Sequence, residues 1–98
     1  MNETMLVLNL DPRLEEDLVD YLLGLPQISG FTTYPVHGHG DHRNMSVSEQ
    51  VSGRRRRLQI EIILEEQSVN ELLAGLSDAV GKGITYWQQL IKNRGEIT

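Results

Sequence analysis

The sequence predicts an α+β protein of the ferredoxin-like class, in which four antiparallel strands in the order βαββαβ carry two helices on one face. Three observations lead to this class. Two leucine stripes at helical spacing each follow a strand-like run, one run alternates apolar and polar side chains, and 98 residues allow only one core. We therefore expect a single domain over residues 1–98.

The first strand and the first helix follow one another directly. Residues 4–10, "TMLVLNL", are apolar on both parities, which is typical of a strand covered on both faces. Asp11 can cap the next helix with Pro12 at its first position, where the missing N–H costs nothing. The helix is expected to end at Gly24 and Pro26. Its apolar stripe consists of Leu14, Leu18, Leu22 and Leu25, with Val19 and Leu23 beside it.

The second and third strands are predicted to pair as a hairpin. Residues 31–37, "FTTYPVH", combine β-branched and aromatic side chains, and Pro35 indicates an edge strand or a bulge because it cannot donate to a ladder. Residues 57–66, "RLQIEIILEE", alternate cleanly and predict the third strand. Its apolar face consists of Leu58, Ile60, Ile62 and Leu64.

The second helix and the fourth strand complete the predicted order. Ser68 and Glu71 have the spacing of a capping box, which predicts the start of a helix. An apolar stripe follows and ends near Gly81; it consists of Leu72, Leu73, Leu76 and Val80. Residues 83–90, "GITYWQQL", predict the last strand. At least one of its aromatic side chains is expected to pack in the core or in an oligomer interface.

The connection between the second and third strands is unusually long. From about residue 37 to 55 the chain has no sustained periodicity, and it contains all three histidines. Connections of this length in small domains are typically functional or disordered. We expect a flexible loop at the tip of the hairpin.

Composition and motifs exclude several classes of function. The net charge of −5 argues against a general nucleic-acid binder, and the absence of cysteine excludes disulfides and thiolate metal sites. The N-terminus has no basic region and its apolar run is too short to span a bilayer, so we expect a cytoplasmic protein without direct membrane insertion. No catalytic triad order, HExxH motif or P-loop is present, which predicts a protein that is not an enzyme.

The segment "HGHGDH" is a candidate metal site. His37 and His39 would point to the same side of an extended strand, and Asp41 and His42 could close around the same ion. Imidazole binds zinc, copper and nickel as a neutral ligand. The alternative is a plain flexible polar loop, because one short segment rich in histidine and glycine gives at most a labile site.

The arginine run at residues 54–57 is a candidate anion site. In an extended chain Arg55 and Arg57 face one side, whereas Arg54 and Arg56 continue the parity of Leu58. Guanidinium groups match phosphate and carboxylate geometry, so a nucleotide phosphate or an acidic partner is a candidate ligand. The alternative is a solvated basic run that balances the acidic helices.

A second candidate anion element is the "GKG" motif at residues 81–83, in which Lys82 supplies a positive charge. Glycines allow backbone N–H groups to approach an anion closely. Helix C-capping also explains Gly81 by itself.

With "VHGHG" leaving the second strand and "VSGRRRRLQIEIIL" entering the third, the chain resembles the PII signal-transduction superfamily. More narrowly, it is similar to the small proteobacterial PII-like proteins that tend to be encoded beside heavy-metal efflux systems. The resemblance implies a homotrimer with effector sites between subunits. Gly38, Gly40, Arg55 and Arg57 would lie on one side of such a cleft, and Lys82 would lie on the other. The phosphate loop and the modified tyrosine of PII proteins are not matched here.

Taken with these observations, the resemblance implies a regulatory trimer that binds a small effector and changes its contact with a membrane efflux partner. The predicted effector is a transition-metal ion bound by the histidine segment. The alternative is an adenine-nucleotide or anion sensor that uses the arginine run and Lys82. A third alternative is a hydrolase that uses an arginine together with Asn44.

Overall fold

The computed structural model describes residues 2–40, 46, 47, 49 and 54–98. Its main elements are β1 (Glu3–Leu10), α1 (Glu15–Leu23), β2 (Phe31–His39), β3 (Arg54–Glu65), α2 (Val69–Ala79) and β4 (Thr85–Leu90). The strands form one sheet in the order β2-β3-β1-β4, and every neighbouring pair is antiparallel. The predicted ferredoxin-like α+β fold is confirmed, and β2, with its proline, is an edge strand as expected.

The core lies between the two helices and one face of the sheet. In the ladder of β1 and β3, Leu6 pairs with Ile62 and Leu8 pairs with Ile60, so apolar side chains face each other across the strands. These four side chains are fully buried, as are Leu18 and Leu22 from α1 and Leu72 from α2. Burial of this kind contributes roughly 1.5–3 kcal/mol per side chain, which explains why the leucine stripes determine where the helices lie.

The start of α1 agrees with the sequence, whereas the start of α2 does not. A 3-10 turn, Pro12–Leu14, precedes α1, and Asp11 Oδ1 accepts the N–H of Arg13 at 2.9 Å. The predicted capping box of Ser68 is wrong, because Ser68 makes no side-chain cap hydrogen bond. A 3-10 turn, Glu66–Ser68, already leads into α2, so Ser68 has helical angles instead of the extended angles of a capping residue.

The hairpin of β2 and β3 extends further than its sequence pattern indicates. The ladder includes the pairs His37–Arg56, Gly38–Arg55 and His39–Arg54. Residues at both ends of the predicted loop therefore belong to the sheet. Gly40 follows with φ at +95°, a conformation that residues with a Cβ rarely adopt, and the ladder ends there.

Strand β4 is an edge strand with every residue exposed. Tyr86 is 54% exposed, Trp87 39% and Leu90 97%, so neither aromatic side chain packs in the core of the single chain. Of the helices that the structure describes, none covers the other face of the sheet, which we call the open face, and Trp87 pairs there with Val7, which is 1% exposed. Among the described residues, no helix is long and apolar enough to span a membrane.

Candidate effector-binding site

The end of the sheet at which β2 ends and β3 begins forms a cleft of about 250 Å³. It is lined by Asn9, Val36, His37, Gly38, His39, Arg55, Arg57, Gln59 and Thr85. All four strands contribute to it, because the ends of β1 and β2 and the starts of β3 and β4 meet at this edge. The cleft brings together most of the residues that the sequence nominates as binding residues.

Arg57 is a buried arginine that joins three parts of the fold. Its side chain is on the open face of the sheet, and the residue is only 8% exposed. Nε donates to Asn9 Oδ1 at 2.7 Å, and Nη2 donates to the carbonyl oxygens of Asn9 at 2.9 Å and Gly83 at 3.2 Å. Because a buried guanidinium needs such partners, Arg57 fixes the end of β1 and the turn before β4 as well as supplying positive charge.

The "GKG" turn lies next to this arginine within the same chain. Gly83, which accepts the Arg57 hydrogen bond, has φ at +77° and so requires glycine. Lys82 is exposed one residue earlier. The N–H of Gly81 donates to the carbonyl oxygen of Leu76 at 3.0 Å, as expected for a helix C-cap. Lys82 is therefore positioned near the cleft, while the Gly81 amide is used by the helix.

A chain of hydrogen bonds crosses the open face behind the cleft. Asn9 Nδ2 donates to Gln59 Oε1 at 3.2 Å, and Gln59 Nε2 donates to the Tyr34 hydroxyl at 2.9 Å. Tyr34 in turn donates to Glu61 Oε2 at 2.8 Å, and this bond raises the pKa of Tyr34. The chain orients Asn9 toward Arg57 and so supports the cleft from behind. The sequence analysis did not identify this chain of hydrogen bonds, although the four side chains lie on the same face of the sheet.

The two described histidines lie on the opposite face of the sheet from Arg55 and Arg57. His37 and His39 are both exposed and are two residues apart on the same face of β2. Their partners across the ladder are Arg56 and Arg54, so each imidazole has a guanidinium-bearing residue directly opposite. Within the described part of the chain, no three His, Asp or Glu side chains are grouped closely enough to hold a metal ion.

The other predicted site residues with described positions are Arg55, Gly38 and Gly40. Arg55 pairs with Gly38 on the open face and lines the cleft. A Cβ added at Gly38 would lie 3.8 Å from Cγ of Arg57, an ordinary contact, so glycine is not sterically required there. Gly40 requires glycine through its positive φ and has open space around it. Asp41, His42 and Asn44 lie outside the described residues.

Glu49 is a second feature that the sequence analysis did not identify. Its Oε2 accepts the backbone N–H of Arg56 at 2.8 Å and lies 3.7 Å from Nε of the same residue. Glu49 also exchanges hydrogen bonds with Ser46, in the pattern of a capping box. The backbone hydrogen bonds from Ser46 and Arg56 lower the pKa of Glu49. The spacing of Ser46 and Glu49 was the signal in the sequence that could have revealed this arrangement.

The fold and this sheet end together define a small α+β protein of ferredoxin-like topology with a basic, partly enclosed cleft beside its hairpin. The family described as "Protein of unknown function (DUF3240)" matches residues 1–98, so the chain belongs to the DUF3240 family. A DUF3240 family protein from Shewanella baltica OS155 has a crystal structure with a TM-score of 0.81 and 24% identity, covering 100% of this chain and 99% of that chain.

Two further solved structures have the same fold. A candidate PII-like signaling protein from Thermus thermophilus gives a TM-score of 0.63 at 19% identity, covering 93% of this chain and 91% of that chain. The periplasmic divalent cation tolerance protein CutA from Archaeoglobus fulgidus gives a TM-score of 0.71 at 8% identity, covering 96% of this chain and 87% of that chain. No curated protein sequence matches the chain. The predicted resemblance to PII-like proteins is confirmed at the level of the fold.

Proposed function

We propose that the chain is a non-enzymatic, PII-like regulatory protein that assembles as a homotrimer, binds a transition-metal ion and regulates a membrane metal-efflux protein from the cytoplasm. The observation that carries the proposal is the position of His37 and His39, which are exposed and share one face of β2. Imidazoles at this spacing suit joint ligation of zinc, copper or nickel. Asp41 and His42 follow two and three residues later and are the proposed additional ligands.

The charge around the histidines sets a requirement for such a site. Arg54 and Arg56 face the two imidazoles across the ladder and repel a bound cation. A carboxylate ligand such as Asp41 would offset this repulsion. Ligands from a second subunit would do so as well, which is one reason to propose a trimer. The similar fold of a divalent cation tolerance protein agrees with this proposal, but only as a likeness of fold.

The open face of the sheet supports assembly of several copies. Its edge strand β4 is exposed along its whole length, and Trp87 is among the exposed side chains. Edge strands and apolar side chains left open in this way favour association with another chain. Sedimentation equilibrium at micromolar concentration tests the assembly directly. A monomer there would contradict the trimer.

Calorimetry tests the metal site. We expect zinc, copper or nickel to bind the wild-type protein and to bind the His37→Ala/His39→Ala variant at least tenfold more weakly, because this variant loses two of the four proposed ligands. Thr32→Ala, an exposed change on the opposite parity of β2, is the matched control and should leave binding unchanged. Equal metal affinity in the double variant and the control would contradict the proposal.

The second candidate function is an adenine-nucleotide or anion sensor. The cleft favours it, because Arg55 and Arg57 line its walls and Lys82 lies beside it. ATP, ADP and AMP should bind, with affinities that fall in Arg55→Gln and Lys82→Gln. Arg57 is unsuited to this test because its replacement also loosens β1 and the turn before β4. Nucleotide affinity that is unchanged in both Arg55→Gln and Lys82→Gln would exclude this candidate.

A further inference from the structure

The carboxylate of Glu49 occupies the position that a strand would otherwise take beside β3. Strand β1 pairs with β3 only as far as Leu10, which lies opposite Leu58. Alternate residues of an antiparallel strand direct their N–H groups to the same neighbour, so the N–H of Arg56 points to where β1 has already ended. Glu49 Oε2 accepts this N–H at 2.8 Å. The backbone N–H of Arg56, which has no strand partner beyond the end of β1 among the described residues, is thus satisfied by the carboxylate of Glu49.

The surroundings of Glu49 are basic. The side chain of Arg56 lies beside it, with Nε at 3.7 Å from Oε2. The hydrogen bond with Asp11 raises the pKa of Arg13, and the charge of Glu49 adds a smaller effect in the same direction. A cavity of about 790 Å³ opens here. Its lining residues are Asp11, Pro12, Arg13, Ser46, Glu49, Arg55 and Arg56. Among the described lining residues, three arginines stand against two carboxylates, Glu49 and Asp11, and Asp11 already pairs with Arg13 at 2.7 Å.

We infer that this cavity is a binding site for a phosphate-bearing anion, and that Glu49 occupies it as an internal competitor. A backbone N–H together with guanidinium groups is the donor set that proteins use for phosphate oxygens. Within that set, Glu49 contacts the N–H and the guanidinium of Arg56. The inference requires neither a metal ion nor the histidines and assigns a role to Arg13 and Arg56. It also differs from the second candidate function, because among the described lining residues this cavity shares only Arg55 with the cleft.

Competition from Glu49 has a measurable consequence. A carboxylate tethered to the same chain acts at an effective concentration on the order of millimolar, so an external anion binds more weakly than its contacts alone would allow. The apparent affinity is reduced by the fraction of molecules in which Glu49 is bound. Removing the charge of Glu49 while keeping its shape should therefore strengthen anion binding.

Nuclear magnetic resonance of the ¹⁵N-labelled full chain tests the inference. Inorganic phosphate is titrated into wild-type protein, Glu49→Gln and Glu66→Gln, and the backbone amide of Arg56 is followed. Glu66 lies just beyond the opposite end of β3, so Glu66→Gln is a control with the same change of net charge. We expect the apparent Kd for phosphate to fall on the order of tenfold in Glu49→Gln. In Glu66→Gln it should stay within about twofold of wild type.

Several outcomes would overturn the inference. One is an equal affinity for phosphate in the two variants, and another is a set of shifts that leaves the Arg56 amide and the Arg13 side chain unchanged. Glu49→Ala is a second variant in case the glutamine still blocks the site, and it should bind phosphate at least as tightly as Glu49→Gln. These results do not depend on the metal calorimetry, so the two proposals can fail separately.

Further arms of the same titration identify the source of the phosphate. ADP that binds more tightly than inorganic phosphate, with the same dependence on Glu49, assigns the site to a nucleotide. Equal affinity for ADP and phosphate assigns it to a free phosphate group. Adenosine that binds as well as ADP would overturn the inference, because the anion would then contribute nothing.

Discussion

Arg57 and Asn9 are joined by a 2.7 Å hydrogen bond from Nε to Oδ1, which connects β3 to the end of β1 at the edge where the candidate site lies. Two further hydrogen bonds from Nη2 reach the carbonyl oxygens of Asn9 and Gly83. Arg57, which the sequence analysis predicts to bind a ligand, therefore also determines the geometry of the site. Stability and binding are coupled at this residue, and they have to be separated by experiment.

Arg57→Lys should destabilise the protein by about 1–3 kcal/mol, because lysine cannot reproduce the fork of donors and leaves buried acceptors unsatisfied. The measurement is urea unfolding followed by circular dichroism. Arg54→Lys, at an exposed position of the same strand, is the control and should change the free energy of unfolding by less than about 0.5 kcal/mol. Similar losses in the two variants would show that Arg57 has no special structural role.

Gly75→Ala should also destabilise the protein, although alanine is the better helix former. A Cβ at Gly75 would lie 2.9 Å from Cζ of Tyr21, whose hydroxyl donates to the carbonyl oxygen of Leu72 at 2.8 Å. Helix propensity favours alanine by about 1 kcal/mol, whereas overpacking costs about 1–3 kcal/mol, so we expect a net loss on the order of 1 kcal/mol.

The same unfolding measurement has a matched control in Gly30→Ala, since a Cβ at Gly30 meets nothing within 4 Å. That variant should leave stability unchanged or slightly higher. Tyr21→Leu combined with Gly75→Ala should recover part of the loss, because the shorter side chain leaves room for the methyl group. A Gly75→Ala protein more stable than wild type would contradict the close packing of α1 on α2.

The sequence predicted the fold because apolar periodicity and core burial are the same physical signal. The leucines at helical spacing and the alternating residues of β3 are the residues that the structure buries, including Leu18, Leu72 and Ile60. The strand ladder at His39 and Arg54 was harder to predict, since both residues are polar and exposed. Their pairing follows from continuation of the hairpin and not from burial, and no apolar alternation marks it.

The candidate site was predictable only in part. The parity of Arg55 and Arg57 follows from strand geometry and is as expected. The partners of Arg57 were not predictable, because Asn9 and Gly83 are distant in sequence and meet it only through the strand order. Long-range hydrogen bonds of this kind depend on the arrangement of the sheet, which a local pattern does not contain.

Asp11 should make stability depend on pH in the acid range. Hydrogen bonds from the Arg13 side chain lower the pKa of Asp11 to about 2, and Arg57 adds a smaller attraction. Because the folded pKa lies below the ordinary value of 3.8, the stabilisation is present above about pH 4 and is lost as the pH falls toward 2. Asp11 and Arg13 are solvent-accessible, so the effect should stay below about 1 kcal/mol.

Urea unfolding of wild type and Asp11→Asn at several pH values measures this effect. The variant should be less stable at pH 6, and the difference should shrink steadily as the pH falls through 2. Glu96→Gln, in the exposed C-terminal tail, carries the same charge change and should show no such convergence. A stability difference for Asp11→Asn that is constant with pH would assign the role of Asp11 to capping geometry alone.

Trp87, the only tryptophan, should report assembly through the open face of the sheet. It is 39% exposed in the single chain, so a trimer that covers this face should shift its fluorescence emission to shorter wavelength and protect it from acrylamide. Dilution to the point of dissociation should reverse both effects. Tyr86→Phe is a control that keeps the tryptophan. Emission and quenching that do not change with concentration, in a protein that sediments as a trimer, would place the interface elsewhere.

The arginines opposite the histidines should weaken metal binding. Arg54 and Arg56 each place a positive charge across the ladder from His39 and His37. Removing one such charge at about 7 Å from a divalent ion changes the energy by about 1.2 kcal/mol in water, and salt screening roughly halves this value. Arg54→Gln/Arg56→Gln should therefore bind zinc on the order of tenfold more tightly than wild type in calorimetry. Lys92→Gln/Arg94→Gln, near the C-terminus, removes the same charge and should change zinc affinity far less. Zinc affinity that stays constant or falls in the first variant would show that the ion is not held between these strands, and the arginine run would then be better explained by an anion.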